Sequence, residues 1–361
     1  MDATLVLEDG RAFRGRAFGR HGTATGEVVF NTALTGYQEI LTDPSYRGQM
    51  VCLTNPLIGN YGVSPHDHES GRAWLSALIV RELSPVYSNW RATVDLGHWL
   101  DQQGVVGIQE VDTRALTRHV RDRGSLMAMV STDETDPERL LERLRAVPPI
   151  GARELVSEVT CRAPYEVAAE GPARHAVAVL DLGAKRNIVQ SLARLGTRCL
   201  VFPAHTPAAD VLASGAEGLV LSNGPGDPAT VGYAIETTRE LLGRLPTLGI
   251  CLGHQMLGLA VGGRTYKLPF GHHGGNHPVK ELATGRVEIT SQNHNYAVDA
   301  ASVEPAGVVA THLNLNDGTL EGMASAKKRF FSLQYHPEAA PGPHDSAHLF
   351  ARFVDTLPGG R

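Results

Sequence analysis

From residue 176 onward, short unbroken apolar runs (176–182, 199–202, 218–221 and 247–250) alternate with stretches whose apolar positions recur every three or four residues (185–195, 207–213 and 231–244). In the first such stretch Ile188, Val189, Leu192 and Leu195 share one helical face, and Gly196 ends it. Fully apolar strands alternating with amphipathic helices predict an α/β unit: a mostly parallel sheet flanked by helices. Ligands of such sheets bind at the carboxyl ends of the strands. Two loops fall on that edge: 222–228, Ser-Asn-Gly-Pro-Gly-Asp-Pro, after the third run, and the turn at Cys251 after the fourth.

Residues 1 to about 150 are patterned differently. Strand-like runs at 4–7, 27–31, 49–54 and 77–81 lie between Gly, Asn and Pro punctuation, and Asp9-Gly10 marks a hairpin. Helices are expected near 94–102, over 113–123 and from Asp136-Pro137, where Leu140, Leu141 and Leu144 form one apolar face. This half reads as a mixed α+β domain. Between the halves, 161–175 with Pro164 and Gly171-Pro172 reads as linker, so the expected division is 1–150, a linker over 151–175, and 176–361.

A length of 361 residues fits two domains. A net charge of −5 gives no basic footprint for nucleic acid. Cys52, Cys161, Cys199 and Cys251 are widely spaced, which disfavours a disulfide framework and fits a reducing compartment. The chain starts without a signal-peptide pattern, and no apolar run nears the ~20 residues that span a membrane; a cytoplasmic protein is expected. Arginine outnumbers lysine, and the absence of lysine before Lys185 reads as codon bias.

The candidate chemistry lies at the strand ends. Residues 249–255 read Gly-Ile-Cys-Leu-Gly-His-Gln, a nucleophile flanked by glycines between a strand and a helix. A cysteine at a helix N-terminus lies at the positive end of the dipole, which favours thiolate. The run 330–335 reads as a strand, with His336 and Glu338 just beyond it; two apart in extended chain, they face one way, so that Glu338 orients His336 and His336 exchanges protons with Cys251. The Leu252 N–H, and one from Gly224 or Gly226, are the candidate oxyanion donors. The other three cysteines read as structural. The histidine-rich stretches 66–69 and 271–277 lack metal-ligand spacing, and no metal is expected. No phosphate-binding loop or dinucleotide fingerprint occurs, so ATP chemistry is assigned to another chain.

Leu-Ser-Asn-Gly-Pro-Gly-Asp-Pro, Gly-Ile-Cys-Leu-Gly-His-Gln and His-Pro-Glu together resemble the class I, triad-type glutamine amidotransferases. Stretches 30–45, 270–279, 291–298 and 336–345 are similar to the small, glutamine-hydrolysing subunit of carbamoyl-phosphate synthases, over nearly the whole chain. The resemblance implies hydrolysis of L-glutamine to glutamate and ammonia, which passes to a large subunit. That partner uses ATP, with Mg, and bicarbonate to make carbamoyl phosphate for arginine and pyrimidine synthesis. It implies Cys251 as nucleophile, His336 as base and Glu338 as its partner. It also implies Ser45, Gly224, Gly226, Leu252, Gln255, Asn293, Asn295 and Tyr296 as glutamine-binding positions, Ser45 reaching the site from the first domain. Because residues 1 to about 150 hold no catalytic constellation and the chain no ATP site, that domain is expected to dock the large subunit. The family usually has Gly where Asn295 stands, and Asn best tolerates a positive φ among the other residues. A free-standing thiol hydrolase and an inactive scaffold are the competing readings; the first domain counts against the former and the intact Cys251, His336 and Glu338 against the latter.

Overall fold

The computed structural model describes residues 1–358. The chain forms two compact units, Met1–Arg153 with Pro269–His273, and Glu154–Leu268 with the remainder from Gly274.

The first unit contains β1 (Asp2–Leu7), β2 (Ala12–Gly19), β3 (Thr23–Asn31), β4 (Gln49–Leu53), β5 (Leu57–Ile58), β6 (Ala77–Ile79), β7 (Glu82–Leu83), β8 (Val106–Gln109) and β9 (Leu126–Ser131). Seven of them close a barrel in the order β1-β2-β8-β6-β4-β3-β9, which leaves no sheet edge to cap. The Asp9-Gly10 turn joins β1 to β2, with Gly10 at φ 89°. The parallel pairs β3–β4 and β6–β8 need crossovers, which the helices Tyr37–Thr42 and Leu96–Gln103 supply. Asp112 caps the helix Thr113–Arg123 by accepting from the Ala115 N–H, and Leu116 and Val120 bury against Leu5, Val28 and Ile108. Asp136 caps the helix Pro137–Arg145 as expected, and Leu140 and Leu144 are buried.

The second unit holds β10 (Tyr165–Val167), β11 (His175–Asp181), β12 (Thr197–Pro203), β13 (Gly218–Leu221), β14 (Thr247–Ile250), β15 (Thr265–Glu281), β16 (Val287–Val298), β17 (Val309–Asn314), β18 (Leu320–Ser325) and β19 (Phe330–Leu333). Five strands, β12-β11-β13-β14-β19, form the expected parallel core. The helices Arg186–Arg194, Ala208–Ala213, Gly232–Leu241 and Leu252–Ala260 fall where the periodicity predicts them. Beyond β19 the sheet continues through β18 and β17, each antiparallel to its neighbour, to β15. The four residues between β18 and β19 are too few for a parallel crossover, so a hairpin results. The stretch expected to be linker is more structured than its composition suggests. Val156–Val159 is a helical turn, and Tyr165–Val167 pairs antiparallel with β12 as an edge strand.

Candidate active site

Cys251 sits between β14 and the helix Leu252–Ala260 at φ 53°, ψ −103°, a strained conformation for a side chain with a Cβ. The flanking glycines make that turn possible. A Cβ on Gly253 would lie 2.1 Å from the Leu221 carbonyl oxygen, and one on Gly249 2.7 Å from the Gly253 carbonyl oxygen. The Cys251 N–H donates to the Leu333 carbonyl (2.8 Å), so β19 fixes the elbow from the other side. The thiol faces the Asn293 carbonyl in β16 at 3.5 Å. Leu252 heads the helix, so its N–H has no partner within that helix.

His336 and Glu338 lie just past β19, but not in extended chain. The Ala339 N–H donates to the His336 carbonyl (3.1 Å), closing a turn, while the His336 N–H donates to Ser291 in β16 (2.9 Å). The turn, rather than strand alternation, brings His336 Nδ1 to 2.6 Å from Glu338 Oε1. With Nδ1 engaged by the carboxylate, Nε2 is left for the thiol. Burial favours the neutral ring, and Lys185 opposes its protonation, but Glu338 and then Cys251 outweigh both and raise the proton affinity of His336 above the ordinary histidine value. Burial likewise pushes the Glu338 carboxyl up; Lys185 and His336 override it and hold the group ionised, below the usual carboxylate range.

Lys185 belongs to no motif in the sequence, yet its Nζ lies 3.0 Å from Glu338 Oε1 and also donates to the Ala339 carbonyl. Its residue is 2% exposed. The loop after β11 delivers it: Asp181 accepts from the N–H groups of Gly183 (2.9 Å) and Ala184 (2.7 Å), and the Lys185 N–H donates to the Asn223 side chain (3.0 Å). The available signal was a lone early lysine opening a helix on the ligand edge of the sheet.

His254, within the same motif as Cys251, is a different case. It bonds Ser332 Oγ through Nδ1 (2.9 Å), and burial pushes its pKa down to about 3, so it is a neutral core histidine. Burial pushes the thiols of Cys52, Cys161 and Cys199 up to about 12, which suits structural thiols.

The expected glutamine positions of the second unit surround this centre in part. A Cβ on Gly224 would meet the Leu182 carbonyl oxygen at 2.2 Å and Leu252 Cδ2 at 2.7 Å, so the glycine lets the 222–228 loop lie against the elbow. Gly226 adopts φ 85°. Gln255 Nε2 donates to the Tyr296 carbonyl (2.7 Å) and to Gln334 (3.2 Å), tying the nucleophile's helix to β16. Asn293, Asn295 and Tyr296 are buried in β16. Asn295 is not among the non-glycine residues of positive φ, so the tolerance argued for it is not needed: strand pairing holds its backbone extended. Ser45 is buried within the first unit, in the turn Pro44–Tyr46, where Asp43 accepts from its N–H (2.9 Å).

The family described as "Carbamoyl-phosphate synthase small chain, CPSase domain" matches residues 5–130, and "Glutamine amidotransferase class-I" matches 178–356. The carbamoyl phosphate synthase small chain of Syntrophotalea carbinolica is 54% identical, covering 100% of this chain and 99% of the relative. The chloroplastic small chain of Oryza sativa subsp. japonica is 50% identical over 100% of this chain and 83% of its own length. The small chain of Nitratidesulfovibrio vulgaris is 52% identical over 98% and 97%. With relatives this similar along its whole length, and an elbow cysteine opposite a buried His–Glu pair, the chain belongs to the carbamoyl-phosphate synthase small-chain family.

Proposed function

We propose that Cys251 attacks the side-chain amide carbon of L-glutamine, with His336 moving the protons and Glu338 and Lys185 holding His336 in place. Family membership makes the chain the glutamine amidotransferase component of a carbamoyl-phosphate synthase; the roles of individual residues rest on the geometry. The Cys251 thiolate adds to the carbonyl, and the oxyanion is held by the Leu252 N–H and one from Gly224 or Gly226. His336 gives its proton to the leaving nitrogen, ammonia departs, and a γ-glutamyl thioester remains. His336 then takes a proton from water, whose oxygen attacks the thioester; glutamate leaves and the thiol is restored. The observation that carries this reading is the strained elbow of Cys251 beside a histidine whose Nδ1 is locked on a buried carboxylate.

Gly224, Gly226, Leu252, Gln255, Asn293, Asn295 and Tyr296 are proposed to line the glutamine site, and Ser45 to complete it. Ammonia is proposed to pass to a large partner chain that holds ATP and Mg and makes carbamoyl phosphate for arginine and pyrimidine synthesis. No helix among the described residues is long and apolar enough to cross a membrane. The test follows ammonia release from L-glutamine and L-asparagine, and new amino termini from a small peptide, on incubation with the purified chain. Release from glutamine is expected. Peptide cleavage without glutamine hydrolysis would favour a thiol peptidase, and no turnover of any of them an inactive scaffold.

A further inference from the structure

One face of the helix Thr113–Arg123 is fully accounted for by the barrel core, where Leu116 and Val120 are buried. The other face lines a hollow of about 480 Å³ bounded by Thr54, Thr113, Arg114, Thr117, Arg118 and Arg121. The three arginines recur at i, i+4 and i+7, the spacing that stacks side chains on one side of a helix. Among the described residues no carboxylate lines the hollow. Arg121 pairs with its neighbour Asp122 at 2.8 Å, an exposed contact of little strength. The Arg114 and Arg118 side chains make no hydrogen bond or ion pair among the described residues. Two uncompensated guanidinium groups beside threonine hydroxyls thus stand together on a chain whose net charge is −5.

We infer that this arginine-lined hollow receives an acidic segment of the ATP-using partner chain, its carboxylates pairing with Arg114 and Arg118. The inference rests on the proposed partnership. A free small anion fits less well. The helix N-terminus, the usual anion cradle, is already occupied by the Asp112 carboxylate. The guanidinium groups are exposed to salt, so a dissolved ion gains little there. A docked chain instead presents several carboxylates at once, excludes water around them, and exploits the planar fork of arginine in bidentate pairing. Charged contacts of this kind steer association and fix register.

The test measures binding of the intact chain to the purified large subunit by surface plasmon resonance at low and high salt, for wild type and the double variant Arg114→Glu/Arg118→Glu. The isolated variant should keep its glutaminase activity and melting temperature, which establishes that it is folded. Its Kd should rise by about tenfold or more, chiefly through slower association, and its salt dependence should flatten. Arg114→Lys/Arg118→Lys should fall between the two. Wild type failing to bind at all would reject the partnership itself. Wild type binding, with unchanged Kd and salt dependence in the reversed-charge variant, would reject the docking role. Tight titration of wild type by inorganic pyrophosphate, lost in the variant while partner binding is unchanged, would identify a small-anion site and equally overturn the inference.

Discussion

In the barrel unit the cations of the helix Thr113–Arg123 stand at the surface, and the barrel's buried thiol, Cys52, is held protonated by its apolar surroundings. In the sheet unit Lys185, His336 and Glu338 are each 5% exposed or less, and Lys185 and His336 both bond Glu338. Both units use parallel strands joined by helical crossovers. What separates them is what their strand ends bring together. In the sheet, the ends of β11, β13, β14 and β19 supply Lys185, Asn223, Cys251 and the His336–Glu338 turn to one place. Burying three ionisable groups is costly unless each is paired. The sheet unit meets that condition with a cation and an imidazole sharing one carboxylate oxygen. The contrast teaches that a buried ionic cluster at converging strand ends singles out a candidate for chemistry, whereas exposed charge on a helix carries no such desolvation cost.

The contrast is most exposed to Cys251→Ser. Glutamine hydrolysis should fall by at least about 10³-fold, and His336→Asn should cost a similar factor because nucleophile and base act as a unit. Synthesis from free ammonia by the complex should persist. Steady-state ammonia release checks this, and near-normal turnover in either variant would erase the distinction between the units.

Lys185→Met comes next. It leaves a buried carboxylate with only His336 to pair it, at a cost of about 3–5 kcal/mol by the usual behaviour of broken buried pairs. Glu338 is held low in the native state, so its contribution to stability is present above the ordinary value of 4.5 and lost as pH falls through its depressed one. Without Lys185 the carboxyl rises, and that acid-side loss should shrink in urea titrations taken at several pH values.

Glu338→Gln should lower activity less than His336→Asn, since Glu338 orients and does not transfer the proton. It removes the anion that raises His336 while Lys185 still opposes protonation, so the imidazole should titrate at lower pH by NMR. The raised affinity of His336 contributes stability that is complete below the ordinary value of 6.5 and lost as pH rises through the raised one. The variant's stability should therefore be flatter above neutrality. The smallest effect belongs to Cys52→Ala and Cys199→Ala, which should leave glutamine hydrolysis unchanged.

Continuous apolar runs made the parallel core legible in the sequence, because strands buried on both faces admit few polar residues. The barrel was harder to read. β2 alternates arginines and glycines with Phe13 and Phe18, β8 is four residues long with a glycine inside, and β9 is built on Met127, Ala128 and Met129, which suit helices as well as strands. Local pattern reveals little where closure of the barrel decides the outcome. At the site, Cys251, His336 and Glu338 could be read from their motifs. Lys185 could not, because its role depends on a contact 153 residues away in sequence that only the sheet topology creates. Strand alternation predicts the His336–Glu338 pairing, but a turn closed by the Ala339 N–H on the His336 carbonyl is what makes it.

The central claim is that, of four free thiols, Cys251 is the one that attacks glutamine. A chloroketone analogue of glutamine tests it most directly, with labelled peptides located by mass spectrometry and activity followed in parallel. The account predicts one equivalent of label on the peptide containing Cys251, loss of glutaminase activity in step with labelling, and protection by L-glutamine. Label on Cys52, Cys161 or Cys199 accompanying inactivation, or full activity after complete labelling of Cys251, would contradict it.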